Sequence, residues 1–186
     1  MRSAKDEEFR VYVLARRSDL LRTATLLTAG DPHLAEDVVQ ATLTRLYVSW
    51  PLFQRATNRD AYARRVLVNA LMDEHRRPWR RQERMSSAVP ERVTEADPGT
   101  PRTEALNLAL GELPPRMRAA VVYRYFHDLS VADTADALNC SQGTVKSQTA
   151  RALDRLRAVL GDTLTGTTTH PSPPPAVVPT PFTRSI

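Results

Sequence analysis

The sequence predicts an all-α fold of two small helical domains joined by a flexible linker. Strand-like alternation of β-branched residues is nearly absent from the 186 residues, whereas apolar residues recur at helical spacing. Residues that typically begin helices precede most of these periodic segments. The periodicity stops over residues 82–100, where Pro, Ser, Thr and Gly accumulate, and this stretch predicts the linker.

The first domain is expected to span residues 6–81. Asp31 can cap a helix in which Pro32 takes the first position, and Asn58 can cap a helix that begins at Arg59. A buried stripe at helical spacing is expected for Val39, Leu43, Leu46 and Trp50. Helices are therefore predicted over residues 6–29, 32–49 and 59–77, with a loop from about Pro51 to Arg59.

The second domain is expected to span residues 101–161, followed by a disordered Pro/Thr-rich tail over 162–186. Thr100 precedes Pro101, Ser130 with Asp133 resembles a capping box, and Ser141 can cap the last helix. The predicted helices cover residues 101–112, 114–127, 130–138 and 142–160. Side chains expected to build its core include Met117, Ala120, Val121, Tyr125, Ala135, Leu138, Val145, Ala152 and Leu156.

Residues 128–158 carry the strongest local signal, which is the spacing of a helix-turn-helix. A short helix ends at Leu138, a three-residue break follows, and Ser141 precedes a longer helix. Gln and Arg can bind base edges in pairs of hydrogen bonds, while Ser, Thr and Lys can hold phosphates. The alternative is a solvated basic face on a packing helix. The candidate DNA-binding residues are Thr144, Lys146, Ser147, Gln148 and Arg151.

This second domain resembles region 4 of the extracytoplasmic-function (ECF) sigma factors. The similarity lies in LPPRMRAAVVYRYFHDLSVADTADALNCSQGTVKSQTARALDRLR, which covers about 45 residues. It implies that the helix-turn-helix reads the −35 element of promoters and that the β flap of core RNA polymerase is a partner.

The first domain resembles region 2 of the same family, in the expected order along the chain. GDPHLAEDVVQATLTRLYVSW is similar to its polymerase-binding segment, and LLRTATLLTAGD with AYARRVLVNALMDEHRR resembles the actinobacterial SigE-like subgroup. The resemblance implies that one helical face docks on the β′ clamp helices of core polymerase. The residues on that face are Asp37, Gln40 and Thr44.

Region 2 of these factors also captures an unstacked base of the −10 element. The candidate residues in the loop are Phe53, Gln54, Asn58 and Arg59, and those on the following helix are Arg65, Asn69, Arg76 and Arg77. Four Arg between residues 76 and 81, beside Trp79, suit phosphate binding and base stacking, although part of the cluster complements the helix dipole. Val68 departs from the common pattern, in which a polar or basic residue precedes the Asn.

Composition and motifs argue against other classes of protein. The net charge of +5 favours polyanionic partners, and the single cysteine excludes an internal disulfide and a cysteine-rich zinc site. No Gly-rich phosphate loop, GxSxG, HExxH or metal-spaced His cluster occurs, so we expect neither an enzyme nor a bound cofactor or metal. Without a long apolar run or a signal peptide, no membrane insertion and a cytoplasmic location are expected.

Two functional hypotheses remain. The first is a sigma factor that binds core RNA polymerase, recognises −35 and −10 promoter elements and promotes strand opening; the family resemblance adds an anti-sigma factor as a regulatory partner. The second is a stand-alone helix-turn-helix transcriptional regulator, which leaves residues 6–81 without a role.

Overall fold

The computed structural model describes residues 4–76 and 101–165, and this part of the chain is helical without strands. The helices of the N-terminal module are α1 (Ala4–Leu27), α2 (Pro32–Val48), α3 (Trp50–Arg55) and α4 (Arg59–Arg76). Those of the C-terminal module are α5 (Pro101–Gly111), α6 (Pro115–Val121), a π-helical turn (Val122–Phe126), α7 (Val131–Leu138) and α8 (Gln142–Thr165). The predicted linker, residues 82–100, and the tail beyond residue 165 lie outside the described residues.

Helix caps lie where local chemistry predicts them. Asp31 accepts a hydrogen bond from the backbone N–H of Leu34 at 2.9 Å, and Asn58 accepts one from Ala61 at 2.9 Å. In the second module the hydroxyl of Ser130 caps α7 through the N–H of Asp133. Each cap satisfies an N–H that has no partner within its helix, which confirms the predicted starts of α2, α4 and α7.

The N-terminal module packs α2 against α1 and α4. The predicted stripe of α2 is buried, and it meets the buried face of α4 that includes Leu67 and Leu71. One residue of the stripe belongs to a different helix: Trp50 begins α3 and lies in an aromatic cluster with Phe53, Phe9, Tyr12 and Tyr62. The loop predicted over residues 51–59 is therefore wrong over its first half, because α3 extends to Arg55.

The C-terminal module departs from the prediction in the middle of its second helix. The predicted continuous helix 114–127 is interrupted after Val121 by a π-helical turn, which adds a residue to the turn and rotates the side chains that follow. As a result Tyr123 is fully buried, whereas Tyr125 is 59% exposed. The prediction that Tyr125 packs inward is wrong.

The two modules share one hydrophobic core. Leu20, Ala24 and Leu27 of α1 pack in the same cluster as Ala120 and Tyr123 of the C-terminal module. The buried guanidinium of Arg118 donates one hydrogen bond to the carbonyl of Leu27, at 3.0 Å, and another to that of Leu113, at 3.0 Å. Arg118 thus caps the end of α1 from the other module, which satisfies a helix-terminal carbonyl away from water.

The turn between α1 and α2 also contacts the C-terminal module. Gly30 has a φ of 87°, a left-handed conformation that favours glycine, and it lies against the side chain of Asn107 on α5. A Cβ at residue 30 would lie 2.7 Å from the amide nitrogen of Asn107. Gly30 therefore permits both the turn and the close approach of α5.

Candidate nucleic-acid and polymerase interfaces

The helix-turn-helix is built from α7 and α8. Asn139 ends α7 in the left-handed conformation at a φ of 49°, and the hydroxyl of Ser141 accepts the N–H of Thr144 at 3.1 Å to begin α8. Val145 and Ala152 are fully buried on the inner face of α8. The outer face of its first turns is thereby held rigidly towards the surface, as a recognition helix requires.

The predicted −35 residues lie on two adjoining faces of α8. Lys146, Ser147 and Arg151 are exposed, whereas Thr144 and Gln148 are half-buried. The Ser147 hydroxyl donates to the carbonyl of Thr144 at 3.0 Å. The ammonium of Lys146 and the guanidinium of Arg151 give this part of α8 a basic surface that suits the phosphate backbone and base edges of a duplex.

Two of the predicted −10 residues of α4, Arg65 and Asn69, lie against the helix-turn-helix in this conformation. Arg65 is exposed, yet its Nε donates a hydrogen bond to the carbonyl of Asp136 on α7 at 2.9 Å. Arg76 is exposed at the end of α4, with its guanidinium 3.8 Å from the carboxylate of Asp73. Arg77 lies outside the described residues.

A small cavity between the modules brings two predicted DNA-binding residues together. Asn69, predicted for the −10 element, and Gln148, predicted for the −35 element, both line it. Met72 of α4 and Cys140 of the helix-turn-helix also line the cavity, and burial raises the pKa of the Cys140 thiol. The sequence carries no local signal for this contact, because the residues involved are about 70 to 80 positions apart.

The residues predicted for the −10 loop fall into three structural classes. Phe53 is 1% exposed, and its ring stacks on Trp50 with 5.1 Å between centroids, so its assignment to a DNA-binding loop is corrected to the core. Gln54 donates its amide to Glu8, and Arg59 donates to the carbonyl of Gln54 at 3.0 Å. Asn58 uses its side chain as the cap of α4 and remains exposed.

The predicted polymerase-binding residues share one open face of α2. Asp37, Gln40 and Thr44 are all exposed, and the Thr44 hydroxyl donates to the carbonyl of Gln40 at 2.9 Å. The opposite face of the helix, with Val38 and Leu46, is buried. An acidic and polar surface is thus presented on a firmly packed helix.

A polar contact between the modules involves a histidine that sequence reasoning left unassigned. The Nε2 of His127 lies 2.9 Å from the hydroxyl of Thr23, which itself donates to the carbonyl of Asp19. The Thr23 hydroxyl oxygen therefore accepts the imidazole N–H. Burial and the nearby Arg64 guanidinium lower the pKa of His127, while Asp19 opposes the shift.

Tyr123 forms a second such contact. Its hydroxyl donates to the carbonyl of Arg64 on α4 at 2.9 Å, and its ring packs edge-on against His127. Burial raises the pKa of the phenol far above its ordinary value, so it stays protonated and remains a donor at physiological pH.

No described helix is long and apolar enough to cross a membrane. Among residues 4–76 and 101–165, no group of three or more His, Cys, Asp or Glu side chains is placed to hold a metal ion.

Comparison with known proteins places both modules in one family. The family model described as "Sigma-70 region 2" matches residues 12–81, and the model described as "Sigma-70, region 4" matches residues 103–156. The RNA polymerase sigma-E factor of Streptomyces coelicolor is 38% identical over 159 residues, covering 82% of this chain and 86% of the relative. The ECF RNA polymerase sigma factor SigM of Mycobacterium tuberculosis is 33% identical over 168 residues, covering 89% of this chain and 81% of the relative.

Solved structures agree with this placement. The sigma factor RpoE of Bartonella quintana, in complex with the anti-sigma factor NepR, is similar with a TM-score of 0.68 and 26% identity, over 83% of this chain and 98% of that one. CnrH, in complex with the cytosolic domain of CnrY, has a TM-score of 0.58 at 21% identity, over 84% and 89% of the two chains, and supports the fold. With both modules present in order, the chain belongs to the ECF group of the sigma-70 family of RNA polymerase sigma factors.

Proposed function

We infer that the chain is a promoter-recognising sigma factor, which binds core RNA polymerase, recognises −35 and −10 elements and promotes strand opening. The carrying observation is the presence of both sigma regions in one chain, with the basic face of α8 exposed on a capped helix-turn-helix. Sigma factors are initiation factors and not enzymes, so the chemistry of RNA synthesis belongs to the polymerase. A stand-alone regulator would need only the second module, and it is not favoured.

The −35 element is proposed to lie against the first turns of α8. Arg151 and Gln148 are assigned to base edges, because their side chains offer paired donors or a donor and an acceptor. Lys146, Ser147 and Thr144 are assigned to phosphates, which position the helix without reading sequence. The buried Val145 and Ala152 hold this face rigid.

The −10 element is proposed to bind the turn between α3 and α4 (residues 56–58) and the adjoining face of α4. Asn58 and Arg59 lie at the turn, and Arg65 and Asn69 follow on the exposed side of the helix. Extruding one base from the stack costs a few kcal/mol, which must be offset by contacts to that base and its strand. Gln54 accepts a hydrogen bond from Arg59 across the turn, and Arg76 is exposed at the end of α4. Arg77, outside the described residues, is assigned to the same DNA element from the sequence.

Polymerase binding is assigned to the exposed face of α2, through Asp37, Gln40 and Thr44. Its acidic and polar character complements a basic partner surface such as the β′ clamp helices. The β flap is proposed to contact the C-terminal module. Because the proposed partners are core RNA polymerase and promoter DNA, we place the action of the protein in the cytoplasm.

The described conformation is proposed to be a closed form that must open on the promoter. Elements centred about 25 base pairs apart lie on the order of 80 Å apart along B-form DNA. Here the candidate residues for these two elements meet: Asn69 and Gln148 line one cavity, and Arg65 contacts Asp136. One chain cannot place both surfaces on their DNA elements while these contacts persist.

Opening has a cost that polymerase must offset. Separation exposes apolar residues of the shared core, such as Leu20 and Ala120, and breaks the hydrogen bonds of Arg65 and Tyr123. A partner drives such a change only by binding the open form more tightly than the closed form. Core polymerase, with separate contacts to the two modules, satisfies this requirement.

An anti-sigma factor is proposed as the opposing ligand. The similar structure from Bartonella quintana is a complex of the sigma factor RpoE with the anti-sigma factor NepR. A protein that contacts both modules at once would stabilise the closed form and keep Asn69 and Gln148 away from DNA. The free energy with which it binds the closed form then adds to the cost of opening, and polymerase must offset this larger cost.

A reconstituted transcription assay tests the proposed function. The full chain and core polymerase are incubated with genomic fragments, and start sites are mapped with and without the chain. Chain-dependent initiation at starts that share elements at −35 and −10 supports the proposal. No dependence, together with tight duplex binding by the chain alone, would support the stand-alone regulator instead.

A further inference from the structure

A carboxylate near the start of α1 holds the helix that leads into the −10 turn. Oε2 of Glu8 accepts hydrogen bonds from two α3 side chains: the indole N–H of Trp50 at 3.4 Å and the amide of Gln54 at 2.5 Å. Glu8 precedes residue 12, where the similarity to region 2 begins. The contact is therefore made by a segment to which the family match assigns nothing.

The contact of Glu8 continues across the turn. Gln54 is the penultimate residue of α3, and its carbonyl accepts a hydrogen bond from Arg59 at 3.0 Å. Asn58 then caps α4 through the N–H of Ala61. Through its side-chain amide and its backbone carbonyl, Gln54 thus links Glu8 of α1 to Arg59 of α4 around residues 56–58.

The rest of the N-terminal segment supports the same region by different means. The ring of Phe9 packs edge-on against Trp50 with 5.3 Å between centroids, and Tyr47 donates its hydroxyl to Asp6 at 2.6 Å. These contacts hold α1 against α2 and α3 without Glu8. Loss of the Glu8 carboxylate should therefore leave the module folded and act on the end of α3 and the turn.

We propose that Glu8 is a positioning residue for promoter opening, which holds the α3–α4 turn in the conformation that captures the −10 base. This rests on the proposed function. A turn that is ordered before DNA arrives loses less conformational entropy on binding, so more of the contact energy remains to offset base extrusion. A carboxylate suits the position because it accepts from two donors at once and is acceptor-only at neutral pH.

The alternative role of Gln54 is direct contact with DNA, and a side-chain exchange separates the two. Gln54→Glu places two carboxylates against each other at the position of the present hydrogen bond. Glu8→Gln combined with Gln54→Glu restores the bond with donor and acceptor reversed. If Gln54 served only to contact DNA, the second substitution would not repair the first.

The test uses reconstituted holoenzyme on a promoter identified with the wild-type chain. Strand opening is followed by permanganate reactivity of −10 thymines, on the native element and on variants with single −10 base changes. Core affinity is measured in parallel. Glu7→Ala, on the same helix and paired with Arg10 at 2.7 Å, is the matched control.

We expect Glu8→Ala and Gln54→Glu to slow opening roughly threefold to tenfold and to reduce discrimination among −10 variants, with unchanged core affinity. The exchanged pair, Glu8→Gln with Gln54→Glu, should recover most of the opening rate and most of the discrimination among −10 variants. Glu7→Ala should match the wild type in both. Wild-type opening by Glu8→Ala, or failure of the exchange to repair Gln54→Glu, would overturn the inference alone. No opening by wild-type holoenzyme on any promoter would overturn the proposed function and this inference with it.

Discussion

Arg65 on α4 donates a hydrogen bond from Nε to the carbonyl of Asp136 on α7, across the boundary between the two modules. Arg65 belongs to the proposed −10 surface, and Asp136 lies on the first helix of the −35 reader. The bond therefore joins two surfaces that must separate on a promoter.

Arg151→Ala should weaken −35 recognition and leave core binding intact. Arg151 is exposed on the recognition helix, and loss of a bidentate contact to a base costs about 1–3 kcal/mol. Holoenzyme affinity for promoter fragments with native and altered −35 elements measures the effect. Arg157→Ala, on the same helix and paired with Asp154 at 3.0 Å, is the control. Loss of core affinity in Arg151→Ala would count against this assignment.

Asp37→Ala combined with Gln40→Ala should weaken association with core polymerase. Both side chains are exposed on one face of α2, so their removal should leave the packing of the module unchanged. Binding to core is measured by competition, and circular dichroism checks the fold. Glu36→Gln, which alters the neighbouring pair with Arg17, should retain core affinity. Equal affinities for the double variant and the wild type would move the polymerase contact elsewhere.

Phe53→Ala should destabilise the N-terminal module as a core substitution does. The buried ring stacks on Trp50, and removal of a buried Phe costs about 3–5 kcal/mol. Thermal and urea unfolding measure the loss. Leu52→Ala is the matched control. The side chain of Leu52 is 63% exposed, so its removal should cost little stability. A stable Phe53→Ala variant that fails only in −10 binding would restore the role predicted from sequence.

The closed form should become less stable as the pH falls. The pKa of His127 is lowered in the closed form, first by burial and then by Arg64, against the opposing Asp19 of α1. The neutral imidazole is thus favoured, and its contribution is fully present above the ordinary pKa of about 6.5 and is lost as the pH falls below it. Arg16, Arg22 and Asp60 line the same groove, as does Phe126.

Energy transfer between dyes on the two modules measures this effect from about pH 7.5 to 5.5. Efficiency should fall towards low pH in the wild type, and the slope should diminish in His127→Gln. Thr57→Ala, at an exposed position away from the boundary, should retain the wild-type slope. The same slope in His127→Gln and the wild type would assign the pH response to another group.

Local chemistry made much of the fold predictable from sequence. Asp31, Asn58 and Ser141 each cap a helix through an interaction that spans three residues, so the sequence neighbours contain the information. Apolar spacing likewise identified the buried face of α2. The six-residue helix α3 was missed because it is too short for periodicity, and Pro51 resembles the start of a loop although proline also suits a first helical turn.

The boundary between the modules could not be predicted in the same way. Its contacts join residues far apart in sequence: Thr23 with His127, Arg118 with Leu27, and Arg65 with Asp136. The π-helical turn, where Tyr123 is buried and Tyr125 is exposed, has no signal in the helical spacing of the sequence either. Arg65, Asn69 and the −35 candidates lie on the helices expected from the sequence, whereas Phe53 and Gln54 lie on α3 instead of in a loop. The partners of these side chains in the closed form follow only from the tertiary structure.

A reversible disulfide between the modules tests whether the closed form must open before transcription begins. Met72→Cys places a thiol in the cavity that Cys140 lines, and a disulfide between them would hold α4 against the helix-turn-helix. Met72→Ser and Met72→Cys/Cys140→Ser control for the substitution and for oxidation. Run-off transcription with core polymerase is measured before and after reduction of the same sample. We expect little transcription from the oxidised Met72→Cys chain and full recovery on reduction. Undiminished transcription by the locked chain would show that the two modules need not separate.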